Sequence, residues 1–332
     1  MSRSNEDRSE EIMSRALDGE IRRPIGFLAD RFRGALVGTG VGDALGAPVE
    51  GVHFISPSFL SALDRNPGPL RYTDDTHMTI GVATSLLECA GFDGNHMATT
   101  FARNFVAEPW RGYGPGPPEV FRLLRQGVPW DEAANSLYGG SGSFGNGAAM
   151  RVAPVALFAF PDLDRAAHIA RRTAQITHAH PEGVDGAVVL AVAITAVLAL
   201  PSETLPDATA LVETARGYTQ SQVFADKLAY IPQAMRIDDD GAAATVLGTG
   251  IAAHASVPTA LYCFLRNPSS FREAIKTAIG MGGDADTIAA MTGALSGALL
   301  GCGAIPERWR HVEGVDNLTS LADQFHQLHT QL

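Results

Sequence analysis

The sequence predicts an all-α fold, and three observations support that prediction. From Ile25 onward, apolar residues recur at spacings of three and four, which is the period of a helix with one buried face. Alternation of β-branched with polar residues, which is typical of a half-buried strand, is scarce. The connectors are rich in Gly and Pro, and none has the length or bias of an interdomain linker. We therefore predict one helical domain over residues 25–332, preceded by a polar, charged tail over residues 1–24.

The helical period predicts helices in chain order, as follows: 32–45, 78–89, 95–105, 119–125, 148–158, 163–177, 186–200, 205–218, 222–235, 257–265, 270–279 and 287–301. Segment 186–200 is the most apolar and is shorter than the roughly 20 residues that a membrane-spanning helix needs. We predict that it is a buried core helix.

Glycine recurs at every fourth position in two of these helices. One set is Gly34, Gly38, Gly42 and Gly46, and the other is Gly293, Gly297 and Gly301. Glycine inside a helix costs about 1 kcal/mol relative to alanine, so each smooth face needs compensation from the close approach of a backbone or a ligand. Both helices are therefore predicted to be central and tightly packed.

Composition limits the class of function. Hydrophobic residues make up 45% of the 332-residue chain and charged residues 18%, which is typical of a globular protein. The net charge of −11 and the lack of a basic run argue against general nucleic-acid binding. Three widely spaced cysteines form no disulfide framework, and the first residues contain no apolar signal segment. We expect a cytoplasmic monomer that does not associate with membranes.

The strongest local motif is Thr73-Asp74-Asp75-Thr76, which stands just before an apolar helical pattern. Asp and Thr are good helix N-caps, so capping explains one of the two acids. It leaves the second carboxylate without a role.

A second acidic motif, Asp284-Ala285-Asp286-Thr287, follows two glycines near the other end of the chain. Residues two apart in a turn or extended segment point to the same side, so Asp284 and Asp286 are able to converge. The glycines allow the chain to bend there.

Together the two motifs offer hard oxygen ligands that suit Mg²⁺ or Mn²⁺ and do not suit structural zinc. If the four carboxylates share a pocket, their repulsion requires cations, and two ions roughly 3.5–4 Å apart would offset it. Two unrelated helix caps at opposite ends of the molecule explain the spacing equally well.

Glu50 follows Pro48, which ends the first glycine-faced helix. On the loop beyond, its carboxylate is a candidate general acid or base. An ordinary solvated glutamate is the alternative reading of the same position.

A glycine-rich segment over residues 141–147 precedes a predicted helix, and its backbone N–H groups are candidates for binding phosphate. It has neither a Walker nor a dinucleotide-binding pattern, so a plain turn explains it as well. His178 lies before the apolar helix and is a further candidate for a phosphate or ribose contact, although a structural role explains it as well.

Taken in order, these segments resemble the ADP-ribosylglycohydrolase family. The resemblance rests on Gly42-Asp43-Ala44-Leu45-Gly46, Thr73-Asp74-Asp75-Thr76, Gly145-Asn146-Gly147-Ala148-Ala149-Met150-Arg151, Thr177-His178 and Gly283-Asp284-Ala285-Asp286-Thr287. It covers nearly the whole chain, and it implies a single-domain orthogonal helical bundle of the ADP-ribosylglycohydrolase type.

The resemblance also implies a binuclear centre with two Mg²⁺ ions, for which Mn²⁺ is a possible substitute. Its implied ligands are Thr73, Asp74, Asp75, Asp284, Asp286 and Thr287, with Asp286 as the candidate bridge. Glu50 matches the family's catalytic or gating glutamate. The residues implied to bind ADP-ribose are Ser143, Phe144, Gly145, Asn146, Gly147 and His178.

The implied reaction is hydrolysis of the bond between ADP-ribose and a serine, an arginine or another acceptor. An oxocarbenium-like transition state favours negative surroundings. Loop 108–118, rich in Trp, Tyr, Gly and Pro, is a candidate acceptor-side lid or an ordinary surface loop. Two other functions stay open: a non-catalytic ADP-ribose-binding module, and another two-metal hydrolase that acts on a nucleotide.

Overall fold

The computed structural model describes residues 27–65 and 68–330. The predicted tail over residues 1–24 lies outside these ranges. Within them every named element is a helix, and the only β-pairing is an isolated bridge between Gly145 and Ala252. The all-α prediction is confirmed.

The α-helices are numbered here in chain order. They are α1 Phe27–Gly46, α2 Pro57–Leu63, α3 Asp74–Glu88, α4 Gly94–Ala107, α5 Gly116–Arg125, α6 Trp130–Ala133, α7 Ala153–Ala159, α8 Leu163–Gln175, α9 Pro181–Ala199, α10 Ala208–Arg216, α11 Gln222–Ala229, α12 Ile231–Ala234, α13 Asp240–Leu247, α14 Ala253–Arg266, α15 Phe271–Gly280, α16 Ala285–Leu300 and α17 Val315–Thr330. Short 3₁₀ segments lie at Ala47–Val49, Ala134–Gly140, Asn146–Ala148 and Cys302–Ala304.

Helices α1 and α16 pack along their glycine faces at the centre of the molecule. A Cβ atom at Gly38 would overlap the carbonyl oxygen of Gly293, and one at Gly297 would overlap that of Gly34. Contact between the two backbones replaces the side-chain packing that the glycines lack. The predicted central position and close packing of both helices are confirmed.

The same contact determines which helix ends meet. Gly46, the last residue of α1, lies against the backbone of Ala285 and Asp286 at the start of α16, so the helices run antiparallel. Beyond Gly46 the chain passes through a 3₁₀ turn to Glu50. The glycine faces therefore bring Glu50 and the start of α16 to one end of the domain.

Helix α9 begins earlier than predicted. Pro181 occupies its first turn, and Nδ1 of His180 accepts the N–H of Glu182 at 3.2 Å. The resulting 19 residues have the length and hydropathy of a membrane-spanning helix, but 83% of the most apolar window is buried inside the protein. The helix is therefore longer than predicted, and the prediction that it is a buried core helix is confirmed.

The prediction missed several helices, of which α17 is the longest. Leu318, Leu321, Ala322 and Phe325 are buried on one of its faces, at spacings of three, one and three. The signal for this helix was therefore present. The missed helices α2, α6 and α13 are too short to repeat an apolar period.

Candidate functional site

A cavity opens where α1 ends and α3 and α16 begin. The predicted site residues that line it are Glu50, Asp74, Asp75, Ser143, Gly145, Asn146, Gly147, His178, Asp284, Asp286 and Thr287. Thr73 lines a separate cavity next to it, with which it shares Gly112, and Phe144 is half exposed. The structure therefore brings both acid motifs and the glycine-rich loop together.

The acid cluster consists of Glu50, Asp74, Asp75, Asp284 and Asp286. Carboxylate oxygens of Glu50, Asp284 and Asp286 all lie within 4.8 Å of one another. The Thr287 hydroxyl is 3.5 Å from Oδ1 of Asp75, which joins the second motif to the first. The two motifs are thus parts of one site, and the alternative of unrelated caps at opposite ends of the molecule is wrong.

Capping accounts for Thr73. Its hydroxyl accepts the N–H of Asp75 at 3.4 Å and donates to Oδ1 of Asp43 at 2.9 Å. Asp284 occupies the N-cap position of α16 but accepts no capping hydrogen bond. Its carboxylate therefore remains available to the cavity, whereas metal ligation by Thr73 stays a prediction beside an observed structural role.

Asp43 supports the site through hydrogen bonds to Thr73 and Thr76, and the sequence did not predict this role. Its Oδ1 accepts the N–H and the hydroxyl of Thr73, both at 2.9 Å. Its Oδ2 accepts the N–H of Thr76 at 3.0 Å and its hydroxyl at 2.5 Å. Since Asp43 belongs to α1, these bonds fix the start of α3, and with it Asp74 and Asp75, to the central helix.

The cluster has a deficit of positive charge. Burial, reinforced by neighbouring carboxylates, raises the pKa of Asp74 to about 7 and that of Asp286 to about 9. The same causes raise the pKa of Asp75 well above its ordinary value. Among the described residues, no basic side chain forms an ion pair with the cluster within 4.0 Å.

One atom indicates what the cluster lacks. Oδ2 of Asp75 is buried and has no hydrogen-bond partner among the described residues. An unpaired buried carboxylate oxygen is costly unless a cation binds it. Carboxylate and hydroxyl oxygens without thiolates form the ligand set of Mg²⁺, so the residues present fit that ion.

A tight turn aims Asp284 into the cavity. Gly283 has φ +72°, and a Cβ there would overlap the carbonyl oxygen of Thr249, so only glycine fits. The N–H of Gly283 donates to the carbonyl of Val52 at 2.9 Å. The N–H of Gly51 donates to the carbonyl of Gly283 at 2.7 Å. These bonds tie the Glu50 loop to the Asp284 turn. Burial, followed by Asp284, raises the pKa of Glu50.

The glycine-rich loop forms the opposite wall. The side-chain amide of Asn146 donates to Oδ2 of Asp284 at 2.5 Å and to the Ser256 hydroxyl at 3.0 Å. The Asn146 amide therefore orients Asp284 of the acid cluster. The sequence predicted only an ADP-ribose contact for this residue. The exposed ring of Phe144 lies edge-on to His180 at the rim.

Loop 108–118 supplies a further wall through Gly112 and residues 114–117. Arg111 donates to the carbonyl of Tyr72 at 2.9 Å, and the Tyr113 hydroxyl is 2.8 Å from Nδ1 of His77. The loop is thus anchored on both sides of the first acid motif. Its role as an acceptor-side lid stays a prediction.

Comparison with known proteins agrees with this geometry. The sequence model of ADP-ribosylglycohydrolase matches residues 26–331. A protein named ADP-ribosylhydrolase ARH3 from Mus musculus is 37% identical over 339 residues, which covers 90% of this chain and 91% of the relative. An uncharacterized protein from Archaeoglobus fulgidus is 33% identical over 319 residues, which covers 92% of this chain and 99% of that protein. A solved structure described as an ADP-ribosylglycohydrolase-related protein complex superposes with a TM-score of 0.72 at 29% identity, over 91% of this chain and 98% of that one.

Proposed function

This chain belongs to the ADP-ribosylglycohydrolase family, and on that premise we propose that it hydrolyses the bond between ADP-ribose and an acceptor, with release of free ADP-ribose. The acceptor is a protein side chain, such as serine or arginine, or a small ADP-ribosyl conjugate. The observation that carries the proposal is the meeting of both acid motifs and Glu50 in one cavity beside a glycine-rich loop.

Asp74, Asp75, Asp284, Asp286 and Thr287 would hold two Mg²⁺ ions, with Mn²⁺ as a substitute and Thr73 as an additional ligand. When bound, the ions supply Lewis acidity and lower the pKa of water. Asp286 is the proposed bridge. Burial is the main cause of the raised pKa of both Asp75 and Asp286, and the charge of Asp286 adds to the shift of Asp75 while Asp284 and Glu50 add to that of Asp286. Asp286 therefore lies within electrostatic range of both motifs.

Glu50 is the proposed general acid or base. Its side chain lies on an exposed loop at the cavity, and burial, followed by the charge of Asp284, raises its pKa in the direction of neutral pH. It takes a proton from the attacking water or helps to protonate the leaving acceptor. The backbone ties between Gly51 and Gly283 hold it beside Asp284 while it does so.

The proposed ADP-ribose contacts lie on the opposite wall. Ser143, Gly145, Gly147 and His178 line the cavity, and backbone N–H groups of such a loop suit the diphosphate and distal ribose. Phe144, at the rim, offers an apolar ring. Asn146 supports this wall by holding Asp284.

The test is turnover of serine-linked and arginine-linked ADP-ribosyl peptides with Mg²⁺, with EDTA, and with an Asp284→Ala/Asp286→Ala variant. We expect free ADP-ribose, formed only with metal and intact ligands. Tight ADP-ribose binding without release from either peptide would favour a binding module instead. Release of phosphate or a nucleotide would favour a different two-metal hydrolase.

Glu50→Gln tests the general acid or base separately. We expect hydrolysis to fall by about a hundredfold or more while ADP-ribose affinity is unchanged, since the amide keeps the shape of the side chain but not its proton exchange. Full activity with unchanged binding would contradict the role.

A further inference from the structure

Arg151 is a buried cation whose role the proposed reaction leaves unexplained. It lies behind the glycine-rich loop, 2% exposed, with its guanidinium 4.8 Å from the centre of the Phe101 ring. Its Nη2 donates to the carbonyl of Thr173 at 3.1 Å and to the hydroxyl of Thr177 at 2.8 Å. Arg151 therefore contacts the residue that immediately precedes His178.

The Thr177 hydroxyl in turn contacts His178. Its Oγ1 is 2.8 Å from Nδ1 of the imidazole, and both residues are buried. Burial, together with the charge of Arg151, lowers the pKa of His178 to about 3, so the ring is neutral at physiological pH. A neutral imidazole carries one proton, and its partners decide which nitrogen holds that proton.

The hydrogen bonds at Thr177 favour one arrangement of protons. A guanidinium only donates, so the hydroxyl accepts from Arg151. The hydroxyl proton then needs an acceptor, and among the described residues the only one in contact is Nδ1 of His178. If Nδ1 carried the ring proton instead, the hydroxyl would accept from both Arg151 and the ring, and its own proton would have no acceptor among the described residues. The arrangement that satisfies every group has Nδ1 as the acceptor and the ring proton on Nε2.

Nε2 of His178 lies against the glycine-rich loop, and Gly145, Gly147 and His178 all line the cavity. A Cβ atom at Gly147 would lie 3.2 Å from Nε2, and one at Gly145 would lie 3.5 Å from it, so the loop passes directly over this edge of the ring. No described residue accepts a hydrogen bond from Nε2, and His178 lines the cavity. A donor without a protein acceptor is thus directed at the space next to the backbone of the loop.

We propose that Arg151 and Thr177 are positioning residues that fix the Nε2–H tautomer of His178, so that the neutral ring donates to an anionic oxygen of the bound ligand. The anion is the diphosphate of ADP-ribose, and this assignment of the acceptor rests on the proposed function. The opposite tautomer would turn a lone pair toward the diphosphate and would repel it.

The tautomer is measured on the ligand-free protein, by long-range ¹H–¹⁵N correlation spectra of a ¹⁵N-histidine sample. The chain has 10 histidines, and a His178→Gln spectrum assigns the signals by their loss. We expect His178 to show a protonated Nε2 and an unprotonated Nδ1 in the native protein and in Thr177→Ser. Thr177→Val, which keeps the shape but removes the hydroxyl, should lose this pattern.

ADP-ribose binding provides the functional readout. A hydrogen bond to a charged group contributes about 1.5 kcal/mol or more, so Thr177→Val should weaken ADP-ribose affinity and raise KM by about tenfold, with kcat little changed. Thr177→Ser should restore both values. Thr173→Val is the matched control, because it removes a buried hydroxyl that bonds only its own helix at Ala170 and leaves the carbonyl that Arg151 uses.

An Nδ1–H pattern in the native protein would overturn the proposal, as would a Thr177→Val variant with unchanged tautomer and affinity. An equal loss of affinity in Thr173→Val would reduce Thr177 to a packing role and would also overturn it. If the native protein shows Nε2–H but does not bind ADP-ribose, the proposed function fails while the tautomer assignment stands.

Discussion

Asp43 of α1 and Asp75 in the first turn of α3 are two buried carboxylates that differ in what surrounds them. Asp43 accepts hydrogen bonds on both oxygens from the backbone and hydroxyls of Thr73 and Thr76. Asp75 keeps one buried oxygen without any partner among the described residues.

The pKa values follow the same division. Burial raises the pKa of Asp43 to about 6, and its hydrogen bonds limit the rise. The pKa of Asp75 is raised well above its ordinary value, because burial acts together with the charges of Asp43 and Asp286. A buried acid whose hydrogen bonds are complete holds the fold together, whereas one left incomplete among other acids requires a cation. Four experiments test this difference.

The largest effect on activity is expected for Asp286→Asn, which removes a carboxylate from the acid cluster. Lewis-acid stabilisation of a transition state amounts to several kcal/mol, so we expect hydrolysis of ADP-ribosyl peptides to fall by about a thousandfold or more. Asp316→Asn, at an exposed position in the first turn of α17, is the control and should keep full activity. A fall of less than tenfold in Asp286→Asn would remove Asp286 from the metal centre.

The next effect contrasts the two acids in stability, measured by thermal unfolding in EDTA. Asp43→Asn should lower the free energy of unfolding by about 3 kcal/mol, because the new amide group faces N–H and O–H donors. Asp75→Asn should leave the metal-free protein as stable as the native one or more stable. Its raised pKa means that the folded state disfavours the ionised form, and the amide removes that charge.

Equal losses of stability in Asp43→Asn and Asp75→Asn would contradict the comparison. In that case both carboxylates would serve the fold in the same way, and the unpaired oxygen of Asp75 would carry no meaning for cation binding.

Added Mg²⁺ should stabilise the native protein, since an ion that binds only the folded state at a hundred times its Kd contributes about 2.7 kcal/mol. Thermal unfolding across a Mg²⁺ series measures this gain. The gain should be lost in Asp75→Asn and kept in the Asp316→Asn control. A native protein whose unfolding temperature ignores Mg²⁺ would argue against a metal centre at the acid cluster.

The smallest effect concerns the support of a ligand. Asn146→Ala removes the amide that holds Oδ2 of Asp284, and loss of such a supporting contact weakens metal affinity by about tenfold or more. Calorimetric titration with Mg²⁺ measures it. Ser256→Ala, which removes the other partner of the same amide, should weaken binding less. The reverse order would show that Asn146 does not support metal binding through Asp284.

Much of this organisation was readable in the sequence, because it rests on local chemistry. Apolar spacing predicted the helical class, and the glycine faces predicted the close packing of α1 and α16. The order of the motifs identified the family. Apolar spacing did not predict the shortest helices. The spacing that indicates α17 is present in the sequence, but that helix was not predicted.

Only the tertiary structure shows that the two acid motifs form one site. Thr73-Asp74 and Asp284 each read equally well as a helix cap, since capping and ligation use the same residue types at the same positions. The antiparallel contact of α1 and α16 placed both motifs at one end of the domain. The hydrogen bonds show in addition that Thr73 caps the start of α3, whereas one carboxylate oxygen of Asp75 has no partner among the described residues.

The sequence by itself determined the helical class, the residue types of the site and the tight packing of the two glycine-faced helices, because helix period, backbone bulk and ligand hardness are properties of neighbouring residues. The tertiary structure alone decided that Asp43 is a satisfied structural acid, that Asp75 is not, and that Arg151 and Thr177 act on His178. Those distinctions depend on which distant donors each buried group meets, and that depends on how the helices pack.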